Sequence, residues 1–408
     1  MTDTLTQLRT FIKSQTSAMI ELETILNAVK ALAPENGGDG EYEKAAVLTE
    51  WLKKNGFKDI QRFDAPDKRV KSGVRPSLIV TIPGKKDDFA IWVMAHLDVV
   101  PAGELSLWKT DPWKVVEKDG KLYGRGVEDN QQGLVSAAFA SLAFIKLGVQ
   151  PAHTVKLLFM ADEEVGSVYG IQYLLKTQNL FRKNDVILIP DGGDSKGETI
   201  EIAEKDVLWL RIHTVGKQSH GSRPDEGRNA CLAACDLALR LHDLENVFSK
   251  KDPLFEPPYS TFAPTMSLAN VEGINIIPGD DVFCMDCRIL PCYKLADVLK
   301  EVRRRCDEVE KKYGVKISYE TPQAEESPAT PADAPVVKML SAAIEKVHGL
   351  KARTIGIGGG TVGAYLRSKG YNAAVWSTMD ETAHQPNEYC ILSNMTADAE
   401  TLAAMMVE

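Results

Sequence analysis

The sequence predicts an α/β fold with a mixed, mostly parallel sheet, interrupted by an inserted α+β domain of ferredoxin-like βαββαβ order. Three observations carry this. Between about residues 77 and 204, short apolar runs (SLIVTI, FAIWVMA, VKLLFMA, DVILIP) alternate with helical stretches (LVSAAFASLAFIKLG, VYGIQYLLKTQ), as strands buried on both faces do. From 206 to 322 the order changes to strand, helix, two strands, helix, strand. After the Pro/Ala/Glu-rich stretch TPQAEESPATPADAP the first texture returns, with helix VVKMLSAAIEKV and strand NAAVWS. The outer domain is therefore expected to be discontinuous, residues 1–205 and 323–408, with 206–322 as an inserted domain.

Taken in order, Leu5, Leu8 and Ile12, then Ala45, Ala46, Leu48 and Leu52, recur at helical spacing. The first 60 residues or so are thus expected to be helical, stopping at Asn55-Gly56. Within the insertion the strands read VLWLRIHTVG, TMSLANVEG, VFCMDCRIL and VKISYE, and the helices NACLAACDLALRLHDL and LADVLKEVRRRCDEVEKKYG. At 408 residues the chain has room for two or three domains of roughly 150 residues each. Its 44% hydrophobic and 26% charged residues are ordinary globular usage.

Lys and Arg total 48 against 57 Asp and Glu, a formal charge of −9 that opposes nonspecific attraction to phosphate backbones or anionic lipids. Neither nucleic acid nor membrane is expected as a partner. No apolar run approaches the roughly 18 residues of a membrane span, and the N-terminus is polar and amphipathic. The seven cysteines lack a framework spacing and read as reduced thiols, so a cytoplasmic location is expected. Cys284-Met-Asp-Cys287 spells CxxC, but it lies in an alternating, strand-like stretch without a second pair and is read as strand rather than zinc site.

The acidic and histidine residues gather where apolar strands end. FAIWVMA runs into His96-Leu97-Asp98, VKLLFMA into Asp162-Glu163-Glu164, and DVILIP into Asp191; Glu128-Asp129 sits in a Gly-punctuated loop, and His384 follows NAAVWS. The carboxyl ends of strands in an open α/β sheet form the ligand crevice, so these groups are expected at one edge. Carboxylates crowded there repel one another unless a cation lies among them. Carboxylate with imidazole suits zinc, manganese or cobalt, and one bridging carboxylate allows two ions about 3.5–4 Å apart. Gly358-Gly-Gly360-Thr-Val-Gly363 fits GxGxxG, but too little chain follows for a dinucleotide fold.

These segments resemble the M20 metallopeptidase family, which includes aminoacylase-1, succinyl-diaminopimelate desuccinylase, acetylornithine deacetylase, glutamate carboxypeptidase and dipeptidases. The resemblance spans almost the whole chain through MAHLDVVPAG, the spacer Trp108-Lys-Thr-Asp-Pro-Trp113, LYGRGVEDNQQG, FMADEEVGS, IPDGG, QSHGSRPDEGRNA, GINIIPG, DCRILP and AHQPNE. It implies a zinc-peptidase-like catalytic domain and a lid that forms a homodimer. It also implies two divalent ions, zinc by default, with His96, Glu164, Asp191 and His384 as ligands and Asp129 bridging. Asp98 is implied to hydrogen-bond His96, and Glu163 to take a proton from the attacking water and deliver it to the leaving amine. His220 is implied to steady the oxyanion from the partner subunit, and Arg288 and Asn275, with Gly359, Gly360 and Thr361, to bind the substrate's carboxylate and backbone.

The implied activity is hydrolysis of an amide next to a free carboxylate, in a dipeptide or an N-acyl amino acid. N-succinyl amino acids are the alternative within the family. A non-catalytic carboxylate- or metal-binding module is the alternative outside it, disfavoured because no ligand or base is missing. One departure is plain: where the family usually reads Asp-Asp/Met-Lys-Gly, this chain reads Asp129-Asn130-Gln131-Gln132-Gly133 and lacks the lysine. By the same resemblance Asp129-Asn130 is expected to be a cis peptide.

Overall fold

The apolar runs become the strands of an eight-stranded sheet in the order Asp59–Pro66, Val74–Ile82, His153–Met160, Lys86–His96, Val186–Asp194, Ala373–Thr378, Thr199–Glu204, Arg353–Ile357. The computed structural model describes residues 2–407. The four middle strands run parallel. The pairings that flank them are antiparallel, so the sheet is mixed with a parallel centre. Val74–Ile82 runs against the centre because only residues 83–85 join it to Lys86–His96, too few for the crossover that would return the chain in the same direction. Trp92, Val93, Leu157, Leu158, Ile187 and Leu188 of the centre are buried, each worth about 1.5–3 kcal/mol relative to exposure. Helix Gln132–Leu147 is buried on nearly every side and packs against Leu392–Val407, a helix the strand-and-helix texture did not single out.

The second sheet is four-stranded and antiparallel, in the order Thr261–Ser267, Asp280–Ile289, Asp206–Val215, Lys316–Glu325. With helices Ala230–His242 and Leu295–Tyr313 it gives the expected βαββαβ sequence of elements. Leu295, Val298, Val302, Cys306 and Val309 form the buried stripe of the long helix. Alternation along Asp280–Ile289 turns Phe283, Met285, Cys287 and Ile289 inward and Cys284 outward. The two thiols of the CxxC therefore face opposite sides of the strand, and all seven cysteines are free.

The chain divides into two compact units: Met1–Ile202, Thr330–Ile355 and Thr361–Glu408 form one, and Ala203–Ala329 with Gly356–Gly360 the other. Against the expected 206–322, the second unit is longer at both ends and captures a Gly-rich segment. The Lys205 amide donates to the Ile357 carbonyl, the Gly356 amide to Leu254, and Arg288 to the Gly358 carbonyl, which ties 356–360 to this unit. The edge strand also lies earlier than TMSLANVEG suggests, at Thr261–Ser267, with its register broken between Pro264 and Ser267. A proline without an N–H is tolerated at such an edge. Among the described residues no helix is long and apolar enough to cross a membrane.

Candidate metal centre

Three neighbouring parallel strands deliver the first residues. His96 closes Lys86–His96, Glu163 and Glu164 occupy the turn after His153–Met160, and Asp191 lies within Val186–Asp194. His384 comes from the loop after Ala373–Thr378, where Glu381, His384 and Asn387 all hold left-handed backbone. Asp129 sits in the kinked segment Val127–Gln131, and the Asp129-Asn130 peptide is cis, as expected.

The Asp129 carboxylate stands between the two histidines. Its Oδ1 is 2.8 Å from His96 Nε2 and its Oδ2 is 3.1 Å from His384 Nε2. Glu164 Oε2 is 3.0 Å from His384 Nε2, and Asp191 Oδ1 is 3.7 Å from His96 Nε2. Donor atoms of His96, Asp129 and Glu164 lie within 4.8 Å of one another, and so do those of His96, Glu163 and Asp191.

Burial and mutual repulsion pull these groups from their ordinary ranges. Burial first, then the Asp191 charge, holds the Glu163 carboxyl well above the usual carboxylate range. Burial and Asp129 push Glu164 up to about 7. Burial also raises Asp191. Hydrogen bonds to Asp129 and Glu164 raise His384 to about 10. Asp129 is held low: burial opposes its charge, but the His384 and His96 hydrogen bonds outweigh it. Glu164 Oε1 is buried without a hydrogen-bond partner. Carboxylate oxygens and imidazole nitrogens, an unsatisfied buried oxygen and excess negative charge fit divalent cations.

A family model for the peptidase family M20/M25/M40 matches residues 92–408. The chain belongs to this family. It is a metallohydrolase of the peptidase or amidohydrolase type. An uncharacterised metallohydrolase of Methanocaldococcus jannaschii is 39% identical over 401 residues, covering 93% of this chain and 97% of its own. A succinyl-diaminopimelate desuccinylase of Nautilia profundicola is 26% identical over 374 residues, covering 91% and 93%. The solved structure of a di-peptidase from Saccharomyces cerevisiae superposes with a TM-score of 0.77 at 17% identity, covering 100% of this chain and 98% of that one, and so shares the fold.

In this M20 chain further side chains fasten the centre from behind. Asp98 Oδ1 and Oδ2 accept the Glu163 and Glu164 amides at 3.0 and 3.1 Å. The same residue meets His96, whose Nδ1 is 3.0 Å from the Asp98 backbone carbonyl and 3.5 Å from its carboxylate. Glu388 accepts the Gly126, Glu128 and Asp129 amides and pairs with Arg125 at 2.5 Å. Glu128 in return accepts the Asp380 and Thr382 amides, so the loops carrying Asp129 and His384 hold each other. Arg75, wholly buried, pairs with Glu41 and reaches Asp162 at 3.1 Å, one residue before Glu163. Gln132, in the stretch that lacks the lysine, donates to Ser377, Thr378 and Asp398, and burial raises the Asp398 carboxyl to about 6.

Glu128 and Glu388 lay inside the motifs LYGRGVEDNQQG and AHQPNE but carried no role there. Arg75 and Glu41 had no local signal, since their pairing joins segments 34 residues apart.

The other predicted residues fall elsewhere. His220, Asn275, Arg288, Gly359 and Gly360 belong to the second unit, and Thr361 to the first, where its Oγ1 caps helix Val362–Ser368 by accepting the Gly363 amide. Arg288 is not an open guanidinium: it grips Asp286 at 2.7 and 2.9 Å and donates to Gly358. Its strand-mate two positions away shares its face, which is why the pair forms. The Asn275 carbonyl accepts the Gly221 amide.

Proposed function

We propose that this chain hydrolyses an amide bond next to a free carboxylate, in a dipeptide or an N-acyl amino acid, with two divalent ions, zinc by preference and manganese or cobalt as substitutes. The observation that carries the reading is the Asp129 carboxylate turned one oxygen toward each histidine, with Glu163 beside His96 and Asp191. His96, Asp129, Glu164, Asp191 and His384 would hold the ions, which when bound polarise the carbonyl, lower the pKa of water and offset the negative charge of the crowded carboxylates. Glu163 then takes the proton of the attacking water and passes it to the leaving amine. Asp98 orients Glu163 and Glu164 through their amides. His220 donates to the oxyanion, and Arg288, Asn275, Gly359, Gly360 and Thr361 take the substrate's carboxylate and backbone.

A homodimer through the second unit belongs to this reading. Leu232 and Leu239 lie on one face of helix Ala230–His242, and Met266 on the edge strand and Leu268 beyond it are also exposed, an apolar surface suited to a second copy. Seven free thiols suit a reducing cytoplasm. The desuccinylase relative favours N-succinyl amino acids as the second reading.

The test is free amino acid released from dipeptides, N-acetyl and N-succinyl amino acids by metal-loaded protein, with chelated protein and Glu163→Gln as controls. Metal-dependent release from the first two classes supports the proposal. Release from succinyl substrates alone moves it to the second reading, and no release with two ions bound overturns it in favour of a binding module.

A further inference from the structure

We propose that Ser222 is a positioning residue that fixes the neutral ring of His220 with its proton on Nε2, so that His220 meets the substrate as a hydrogen-bond donor and not as a base. This rests on the oxyanion role proposed above for His220. The turn that presents the ring is held on both sides. The Gly221 amide donates to the Asn275 carbonyl at 2.7 Å and the Arg223 amide to the His220 carbonyl at 2.8 Å, while Ser219 and His220 pair with Ile277 and Ile276. A Cβ on Gly221 would lie 2.9 Å from the Asn275 carbonyl oxygen, so only glycine lets the strands approach this closely. Ser219 Oγ closes the turn by donating to the Arg223 carbonyl at 3.1 Å.

Folded this way, the turn lays Ser222 over the imidazole edge. Its Oγ is 2.8 Å from His220 Nδ1, and its backbone N–H points at the same nitrogen at 3.2 Å. A backbone N–H can only donate, so Nδ1 is the acceptor, and a neutral imidazole that accepts at Nδ1 carries its hydrogen on Nε2. Among the described residues Nε2 has no hydrogen-bond partner, and the side chain is exposed. The ring is therefore set to donate Nε2–H without being an imidazolium, and no proton changes hands when it meets an oxyanion. A carboxylate at 222 would do the opposite. It accepts only, so it would draw the proton to Nδ1 and leave a lone pair on Nε2 of the neutral ring.

The experiment is nitrogen NMR of the zinc-loaded full chain carrying 15N-labelled histidine, with the His220 signals assigned by their loss in His220→Gln, alongside kcat and KM for that protein, Ser222→Thr and Ser222→Asp. At pH 8 the wild type and Ser222→Thr are expected to show an unprotonated Nδ1 and a protonated Nε2. Ser222→Asp is expected to reverse them and to lose on the order of 10²-fold in kcat at pH 8, with KM and two-metal content kept. A proton on Nδ1 of the wild type, or wild-type kcat in Ser222→Asp at pH 8, overturns the proposal. Wild-type kcat in His220→Gln, with the expected ring signals in the wild type, would instead sink the oxyanion role and leave the tautomer standing.

Discussion

The residues of the metal centre and those predicted for substrate capture are held in different ways. Asp129, Glu163, Glu164 and His384 stand on loops that buried carboxylates fasten across long sequence distances: Asp98 to 163–164, Glu388 to 126–129, Glu128 to 380–382. In the second unit Arg288 leans on Asp286, two positions away and, like it, only half-buried. The first arrangement fixes atoms before any ligand arrives. The second can exchange partners, and Arg288 must do so to take a substrate carboxylate. Preorganisation belongs where charge develops, and exchangeable pairs belong where substrates are bound and released.

Substitutions should separate these two regimes, the largest effects coming from the buried side. Glu163→Gln should lower kcat by on the order of 10³-fold, a loss of general base catalysis, while two ions remain bound by elemental analysis. Glu388→Gln leaves Arg125 buried and uncompensated, and Arg75→Met does the same to Glu41 and Asp162. Each should cost about 3–5 kcal/mol in denaturant unfolding, and Glu388→Gln should also lose metal in the folded fraction. Arg288→Ala should raise KM by roughly 10–100-fold through loss of a charge-assisted pair, with kcat less affected and little change in melting temperature. Should Arg288→Ala unfold the protein instead, the contrast between the two regimes fails.

The smallest effect concerns pH. Asp398 is raised to about 6 from its ordinary 3.8, so the folded state holds its proton more tightly than the unfolded chain. Its contribution is then fully present below about 4 and is lost as pH rises to about 6, where stability should fall. Asp398→Asn should flatten that segment of the stability profile. An unchanged slope would mean that Gln132, Ser377 and the Thr378 amide already satisfy an ionised carboxylate.

The strand edge was legible because apolar runs must be buried, and the polar residues that end them are conspicuous: His96, Glu163-Glu164 and Asp191 could be read this way. The βαββαβ order was legible from the same switch of texture. The fastenings were not. A carboxylate such as Glu388 that accepts three amides looks, in sequence, like any acidic residue, and the Arg75–Glu41 pair exists only once residues 34 apart are folded together. Asp98 beside His96 was legible, but the second task of its carboxylate, accepting the two orphan amides of the 163–164 turn, was not. The edge strand moved to Thr261–Ser267 because pairing with Asp280–Ile289 outweighs local composition.

The central claim of the proposed function is that Asp129 would serve both ions, so that the two act as a single hydrolytic centre. The direct measurement is the rate of amide hydrolysis on the most active substrate of the panel as zinc is returned to chelated protein. The rate should rise steeply only as the second equivalent binds, and Asp129→Asn should remove that second step. Full activity at one equivalent, or activity in the chelated protein, would contradict the claim.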